Sequence, residues 1–280
     1  MNAPEFKTPA GACDCHMHIY EDRYPTVSTA AFPNPSAPLS EYRKVQRQLG
    51  LERVVVVQPS GYGFDNQCTL EAVAAFGASA RAIVVIRPET PEAELPRLHA
   101  QGARGVRFHM LPGGVLPWDA LEAMAARTAP LGWHIQLQLD GRTLPEYEAR
   151  LKKLPCDLVI DHNGKFLEPV GVDHPGFKVL LRLLDSGRCW VKVSAPYETS
   201  KTGAPRYEDV AVLAKALIRA NPERCVWASN WPHPNRKTLP DNAALLDLLL
   251  EWAASNAVRR RILADNPARL YGFGASPRNG

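Results

Sequence analysis

The sequence predicts an α/β protein with a single (β/α)8 TIM barrel. Three observations carry this prediction. Eight short runs rich in apolar and β-branched residues recur along the 280 residues. A helix-like segment follows each run, and such alternation with short connections is typical of a parallel sheet. A barrel of this kind takes roughly 250 residues, so the length suits one domain over residues 1–280, with 1–10 as a flexible N-terminal arm.

The predicted strands are short runs that end at polar, glycine or proline residues. Eight such units favour a closed barrel over an open sheet. In chain order, the predicted strands are residues 13–20, 53–58, 82–87, 105–110, 134–139, 157–162, 189–194 and 225–230.

The predicted helices are the amphipathic segments between these runs, and many of their boundaries are marked by the 25 prolines. No glycine-rich phosphate-binding fingerprint follows the first strand, which argues against a dinucleotide-binding sheet. In chain order, the predicted helices are residues 39–49, 68–80, 91–101, 118–129, 144–154, 176–184 and 207–220, with 242–255 and 257–263 after the last strand.

Composition excludes several classes of function. The chain has 33 Lys and Arg against 29 Asp and Glu, a net charge of 33 − 29 = +4, and no basic stripe that would bind nucleic acid. No apolar stretch approaches the ~20 residues of a membrane span, and the N-terminus lacks the apolar core of a signal peptide. Six scattered cysteines are typical of reduced thiols in a cytoplasmic protein. We therefore expect a cytoplasmic protein that binds neither nucleic acid nor membrane, as a monomer or a homo-oligomer.

Candidate functional residues lie where the predicted strands end, because chemistry in such barrels takes place at the C-terminal ends of the strands. Strand one contains Asp14, His16 and His18. Side chains alternate along a strand with a period of two. We therefore expect these three side chains on one face and Cys13, Cys15 and Met17 on the other, with both imidazoles in the barrel mouth.

Other strands also end in polar residues. An arginine at a strand mouth often holds a carboxylate through two parallel hydrogen bonds, so Arg107 is either such a group or part of an ion pair in the barrel wall. A lone histidine is more often structural, as we expect for His99, His134 and His174. The remaining candidates are Gln58, Ser60, His109, Gln138, His162, Tyr197, Asn230 and His233.

Three segments resemble the amidohydrolase superfamily: residues 14–18 (DCHMH), 161–164 (DHNG) and 227–234 (WASNWPHP). The most similar branch contains 2-pyrone-4,6-dicarboxylate hydrolase and D-galactarolactone isomerase. The resemblance extends to residues 266–271 (NPARLY) near the C-terminus. It implies an enzyme that acts on the ring ester of a lactone, either by hydrolysis or by intramolecular isomerisation of a 1,5- to a 1,4-lactone.

The resemblance also implies roles for individual residues. His16, His18 and His162 would surround and polarise the lactone carbonyl oxygen, and Arg107 would bind a substrate carboxylate. The loop after strand four has one arginine, which favours a hydroxylated lactone with one carboxylate over a planar dicarboxylated pyrone. Glu198 is available for substrate hydroxyls. The predicted substrate-binding residues are Arg107, Gln58, Ser60, Asn66, His109, Gln138, Tyr197 and His233.

Asn230 departs from the family pattern, in which hydrolases place an aspartate at the end of strand eight as a general base. An amide cannot take a proton from water, and such base catalysis contributes roughly 10²–10⁴-fold. A well-placed substrate hydroxyl has an effective molarity of roughly 10⁵–10⁸ M. Its attack on the carbonyl group therefore depends less on a general base than attack by water does. We therefore include Asn230 among the catalytic residues. This combination suits isomerisation, and the choice between hydrolysis and isomerisation stays open. The alternatives are an inactivating substitution at position 230, or hydrolysis with His233 or Asp161 as the base.

We expect no cofactor, because relatives in this branch work without a metal and strand four ends in no lysine that could be carbamylated. Strand five offers glutamines where a metal site would have a histidine. His16, His18 and His162 still provide three nitrogen ligands that could hold a weak zinc ion. Two alternatives therefore stay open: a metal-dependent amidohydrolase or decarboxylase, and a sugar-acid binding protein without turnover.

Overall fold

Eight parallel strands form one sheet whose spatial order is the order of the chain, as the sequence predicts. The backbone N–H of Asn230 donates to the carbonyl oxygen of His16 over 2.8 Å, which joins the last strand to the first. In this computed structural model, which describes residues 2–274, the strands are β1 (Cys13–Met17), β2 (Arg53–Val57), β3 (Ala80–Val84), β4 (Ala103–His109), β5 (His134–Gln138), β6 (Leu158–Ile160), β7 (Cys189–Ser194) and β8 (Cys225–Ala228).

A helix follows each strand on the outside of the barrel, so the fold is the predicted (β/α)8 barrel. A π-helical segment, Arg261–Asp265, connects α9 to α10. No helix within residues 2–274 has the length and apolar character needed to cross a membrane. The helices are α1 (Leu39–Leu49), α2 (Gln67–Phe76), α3 (Glu94–Ala100), α4 (Leu121–Thr128), α5 (Leu144–Lys152), α6 (Pro175–Asp185), α7 (Glu208–Ala220), α8 (Asn242–Trp252), α9 (Asn256–Arg260) and α10 (Asn266–Tyr271).

Two apolar layers hold the barrel together. The outer layer lies between strands and helices, and the inner layer fills the barrel, because alternate residues of each strand point to opposite sides. Two aromatic side chains from the C-terminal segment, Tyr271 and Phe273, pack against the inner layer. The other buried members of that layer are Cys13, Cys15, Val55, Val57, Ile83, Val159, Trp190, Val226 and Ala228.

A β-bulge in β1 changes which side chains face the barrel interior. Asp14 pairs with Val54 but Met17 pairs with Val56, so β1 has one extra residue against β2. Our expectation that Asp14 shares a face with His16 and His18 is therefore wrong. The Asp14 carboxylate accepts a hydrogen bond from Tyr42 of α1 over 2.9 Å on the outside, whereas both imidazoles turn inward.

The N-terminal segment that we predict to be a flexible arm contacts the barrel at two places. The backbone N–H of Glu5 donates to the carboxylate of Asp247 on α8 over 2.9 Å. The Thr8 hydroxyl donates to the carbonyl oxygen of Gly50 at the end of α1 over 2.7 Å. The segment therefore runs along the end of the barrel between α8 and α1.

Candidate active site

A cavity of about 400 Å³ opens among the C-terminal ends of the strands and the loops that follow them. This is the end at which barrel enzymes carry out their chemistry. Lys165 and Arg236 also line the cavity, although we did not predict them as site residues. The predicted residues that line it are His18, Ser60, Arg107, His109, Gln138, His162, Glu198 and Asn230.

Three imidazoles cluster at the inner end of this cavity: His18 and His162 line it, and the fully buried His16 contacts both. The ring centroid of His16 lies 4.8 Å from that of His18 and 4.8 Å from that of His162. Burial lowers the pKa of His18 to about 3 and the pKa values of His16 and His162 well below their usual range. All three rings are therefore neutral at neutral pH, and each carries a single N–H.

The hydrogen bonds of the first two rings determine where their protons are. Nδ1 of His18 donates to the carbonyl oxygen of Val57 over 2.8 Å, so Nε2 of His18 is unprotonated. Nε2 of His16 lies 3.2 Å from Nε2 of His18 and must be the donor of that pair. Both rings thus use their N–H groups inside the protein.

His162 has more freedom to interact with a ligand. Its Nδ1 lies 2.9 Å from the hydroxyl of Ser194, a group that can donate or accept. When Ser194 donates, the proton of His162 is on Nε2, for which no partner is found within residues 2–274. His162 lines the cavity, so this N–H is available to a bound carbonyl oxygen.

A buried ammonium lies behind the imidazoles. Lys192, on the inward face of β7, donates to Nδ1 of His16 over 3.1 Å and pairs with Oδ1 of Asp161 at 3.2 Å. The side chains of Lys192 and Asp161 are 0% exposed. Burial alone would raise the pKa of Asp161, but the Lys192 ammonium holds it below its usual value. Burial likewise lowers the pKa of Lys192, and Asp161 opposes that shift, so each partner favours the charged form of the other. The pair orients His16.

The ammonium of Lys192 also affects whether the histidine cluster can hold a metal ion. The ligand atoms of His16, Asp161 and His162 all lie within 4.8 Å of one another, which adds Asp161 to two of the three predicted zinc ligands. Lys192 already binds two members of this group. A divalent cation would have to displace a fully buried ammonium or share a cavity with it, at a high electrostatic cost. The residues present do not fit a resident divalent ion.

Arg107 brings an unshared positive charge to the cavity. Its Nη1 donates to the carbonyl oxygen of Gln58 over 2.8 Å and its Nη2 to the side-chain oxygen of Gln138 over 3.0 Å. Its buried Nε has no hydrogen-bond partner, and no carboxylate within residues 2–274 pairs with this guanidinium. The predicted alternative of an ion pair in the barrel wall is therefore wrong for this residue.

A chain of hydrogen bonds starts at Asn230. Its Nδ2 donates to the hydroxyl of Tyr197 over 2.9 Å, and Tyr197 donates to Nδ1 of His233 over 2.8 Å. Nε2 of His233 then donates to Oδ1 of Asn242 over 3.0 Å. Both nitrogens of His233 are engaged, and Asp161 is bound to Lys192. Neither alternative base suggested by the sequence presents a free proton acceptor to the cavity.

Lys165 and Glu198 form an ion pair in the cavity wall. Nζ of Lys165 donates to Oε2 of Glu198, and Nδ2 of Asn230 donates to Oε1 over 3.1 Å. The two charged side chains are 9% and 12% exposed. Lys165 follows β6 with a φ of +49°, and Asn230 follows β8 with a φ of +60°. Left-handed conformations at residues other than glycine are strained and are found frequently at functional sites.

Two predicted substrate-binding residues face away from the cavity. Val55 and Val57 fill the barrel interior, so Gln58 points outward and accepts a hydrogen bond from Thr69 of α2 over 2.6 Å. Asn66 donates to the carbonyl oxygen of Val85 over 2.7 Å and lines a groove of about 870 Å³ on the outer surface. Both amides hold loops in place rather than reaching the site.

Neither Tyr197 nor His233 lines the cavity. Tyr197 contacts two residues that do, because it accepts a hydrogen bond from Asn230 and the guanidinium of Arg236 lies 5.3 Å from the centre of its ring. Lys165, Arg236 and Lys192 were not among the residues predicted for the site. The alternation of β7 contained the signal for Lys192, since it shares the inward face with the buried Trp190. Lys165 lies on a loop with left-handed backbone conformation, which periodicity cannot place.

Comparisons with known proteins identify the family of this chain. The amidohydrolase family model matches residues 13–273. D-galactarolactone isomerase of Agrobacterium fabrum (strain C58) is 37% identical over 278 residues, which cover 96% of this chain and 94% of the relative. The 2-pyrone-4,6-dicarboxylate hydrolase of Comamonas testosteroni is 34% identical over 281 residues, with 96% and 92% covered.

A solved structure provides a third comparison. A crystal structure of an Agrobacterium tumefaciens protein without ligand superposes with a TM-score of 0.91 at 36% identity, covering 97% of this chain and 99% of the other. Similarity in sequence and in fold thus extends over nearly the full length of each partner. The chain belongs to the amidohydrolase family, in the branch of lactone hydrolases and isomerases, and is an enzyme of that family.

Proposed function

We propose that this enzyme isomerises a sugar-acid-type lactone with one carboxylate, moving the ring ester from one substrate hydroxyl to another without a metal ion. The observation that carries the proposal is the amide of Asn230, which donates to Tyr197 and Glu198 where hydrolases of the family have an aspartate. Residue 230 therefore offers no carboxylate to accept a proton from an attacking water molecule. A substrate hydroxyl next to the carbonyl needs less assistance.

Arg107 supports the assignment of a carboxylated substrate. Its guanidinium lines the cavity, binds only neutral acceptors and keeps one buried N–H free. Guanidinium groups bind carboxylates through parallel, charge-assisted hydrogen bonds. We therefore assign the substrate carboxylate to Arg107. Replacement by lysine should raise KM by roughly 10–100-fold, since hydrogen bonds to charged groups contribute about 1.5–3 kcal/mol.

His162 supports catalysis at the carbonyl group. In its Nε2–H form, this ring donates into the cavity while His16 and His18 remain bonded to each other. A fixed N–H directed at the developing oxyanion lowers the barrier, and loss of one such donor typically costs 10²–10³-fold in kcat. We assign this role to His162, and to His16 and His18 the role of shaping the inner end of the cavity.

Lys192 supports metal independence. Its ammonium provides, next to His16 and Asp161, the positive charge that a metal ion provides in other sites. The proposed chemistry therefore uses only side chains of this chain, with no cofactor.

The test is an assay on a panel of sugar-acid 1,4- and 1,5-lactones after dialysis against a chelator. NMR separates a rearranged lactone from the ring-opened acid. We expect the ring size to change without acid release, and no ¹⁸O incorporation from labelled water. Accumulation of acid would instead make the enzyme a hydrolase. Loss of turnover on chelation, restored by zinc, would favour a metal-dependent amidohydrolase or decarboxylase. Tight lactone binding without turnover would identify a binding protein.

A further inference from the structure

Glu198 is the only carboxylate among the described residues that line the cavity. It lies in the turn after β7 and pairs with Lys165 from the loop after β6, so the ion pair bridges two neighbouring strand ends. Both charged groups are about nine-tenths buried. The pair lines the same cavity of about 400 Å³ as His162.

The Glu198 carboxylate is oriented before a substrate arrives. Asn230 donates to Oε1 and Lys165 donates to Oε2. A carboxylate has about four lone-pair positions, so two hydrogen bonds leave room for a substrate hydroxyl. A group that is fixed in this way needs little reorganisation when the reaction begins.

Transfer of an ester between hydroxyls needs a proton acceptor for the attacking oxygen and a proton donor for the leaving oxygen. The imidazoles are weak acceptors, because burial lowers the pKa of His18 to about 3 and those of His16 and His162 well below their usual range. Asp161 is engaged by Lys192. Glu198 is the acceptor that remains.

We propose that Glu198 is the general base and Lys165 the matching general acid, an assignment that rests on the isomerisation proposed above. The attacking hydroxyl gives its proton to Glu198 while its oxygen forms a bond to the carbonyl carbon. The tetrahedral intermediate then collapses, the bond to the former ring oxygen breaks, and that oxygen takes a proton from Lys165. The proton on Glu198 finally passes to the Lys165 amine across their hydrogen bond.

This relay leaves no net proton behind. One proton enters at Glu198, one leaves from Lys165, and transfer within the pair restores both charges. Isomerisation consumes and releases no proton, so a closed pair suits it, whereas hydrolysis to a carboxylate requires a proton to leave the site in every cycle. Burial, together with the guanidinium groups of Arg236 and Arg107, lowers the pKa of Lys165, which assists donation from its ammonium.

The same geometry gives Asn230 a positioning role. Its Nδ2 donates to both Glu198 and Tyr197, which an ionised aspartate could not do because it has no N–H or O–H group to donate. An aspartate there would place a second carboxylate next to Glu198, where like charges repel. The asparagine thus matches the presence of Glu198, which argues that it is a native feature of this active site.

The test compares Glu198→Gln and Lys165→Met with Glu168→Gln, an exposed glutamate paired with Lys201 on the surface. We expect Glu198→Gln to lower kcat for isomerisation by roughly 10²–10⁴-fold, with KM changed less than about threefold. The acidic limb of the kcat/KM profile should disappear in this variant. Glu168→Gln should match the wild type.

A second variant separates chemistry from folding. Glu198→Ala should regain part of its kcat when formate is added, because a small carboxylate can occupy the vacated space, whereas Glu168→Gln should not respond. Binding of the ring-opened acid by calorimetry verifies that the site is intact. If the wild type isomerises lactones and Glu198→Gln keeps its kcat and its acidic limb, Glu198 is not the base. If the wild type converts no lactone, the proposed function itself fails.

Discussion

Nζ of Lys192 lies 3.1 Å from Nδ1 of His16, and both side chains are completely buried in the upper part of the barrel. The contact places a fixed positive charge at the centre of the polar cluster, where it also neutralises Asp161. Because Lys192 is covalently part of the chain, this cation does not depend on the supply of a metal. Burial lowers the pKa of Lys192, and the carboxylate of Asp161 opposes that shift.

Replacing Lys192 with methionine should convert this cluster into a site that binds divalent metals. Without the ammonium, the donor atoms of His16, Asp161 and His162 lie within 4.8 Å of one another and lose their internal cation. We expect equilibrium dialysis to find about one tightly bound Co²⁺ per molecule of the variant and none for the wild type. Lys178→Met, at a half-exposed surface lysine, is the matched control. Equal metal binding by the wild type would contradict the role given to Lys192.

The same variant should be less stable without metal. Removal of one partner from a buried ion pair typically costs about 3–5 kcal/mol, since the other charge is left uncompensated. We expect urea unfolding at pH 7 to give a free energy lower by about that amount, and added Co²⁺ to recover part of it.

Asn230→Asp should impair the enzyme rather than improve it. The substitution removes the donors to Tyr197 and Glu198 and brings a second carboxylate against Glu198. We expect kcat to fall by at least about tenfold at pH 8, with partial recovery at pH 5, where the two carboxylates can share one proton. Steady-state kinetics on the preferred lactone measure both values.

A double variant provides the control for this prediction. Asn230→Asp combined with Glu198→Gln keeps a single carboxylate and a single amide, with their positions exchanged. Because the repulsion is gone, the double variant should unfold at higher urea concentration than Asn230→Asp alone. A higher rate for Asn230→Asp than for the wild type would identify position 230 as the location of a lost base.

His134 should make stability depend on pH without contributing to catalysis. This histidine lies on β5, its ring is 5.5 Å from Tyr271, and neither ring nitrogen has a hydrogen-bond partner among residues 2–274. Burial lowers its pKa to about 3, whereas the unfolded chain binds the proton at about pH 6.5. Protonation therefore favours unfolding, and this penalty grows as pH falls from about 6.5 to about 3.

His134→Leu should remove that penalty. Between pH 7 and pH 5, we expect the free energy of unfolding of the variant to fall by about 2 kcal/mol less than that of the wild type, from about 1.36 kcal/mol per pH unit below 6.5. Urea titrations at the two pH values measure the difference, and lactone turnover serves as the control because it should not change. Parallel pH dependences would mean that His134 titrates normally in the folded protein.

The sequence allowed the barrel to be predicted because each strand is a short apolar run with a helix after it. The histidines of strand one and of strand six were predictable for the same reason, since both lie where a strand ends. Asp14 was misplaced because a β-bulge reverses the alternation after Cys15. The alternation of apolar and polar residues does not predict a single extra residue in one strand.

The loop residues were harder to predict. Gln58 points outward because its neighbour Val57 points into the barrel. To predict this direction, one must know which residues of β2 face inward, and not only that β2 is a strand. Lys165 and Glu198 come from the loops after two different strands and meet only in three dimensions. Their pairing depends on left-handed backbone conformations at residues such as Lys165 and Ala195. A lysine or an alanine in a sequence does not predict such a conformation.

Gly176 should be essential for the position of Lys165. A Cβ atom on Gly176, in the first turn of α6, would lie 2.2 Å from the carbonyl oxygen of Gly141. The backbone N–H of Gly141 in turn donates to the carbonyl oxygen of Lys165 over 3.3 Å. Gly176→Ala must therefore move the turn at Gly141, and that movement reaches the cavity wall.

We expect Gly176→Ala to lower the free energy of unfolding by about 1–3 kcal/mol, as other overpacking substitutions do, and to lower kcat by at least about threefold at a temperature where the variant is fully folded. Gly171→Ala is the matched control, since no described residue other than its two chain neighbours has an atom within 4 Å of the added Cβ. Urea unfolding and lactone kinetics on both variants measure the two effects. A loss of stability with unchanged kcat would show that the turn at Gly141 does not position Lys165, because the strain would then be absorbed before it reached the cavity.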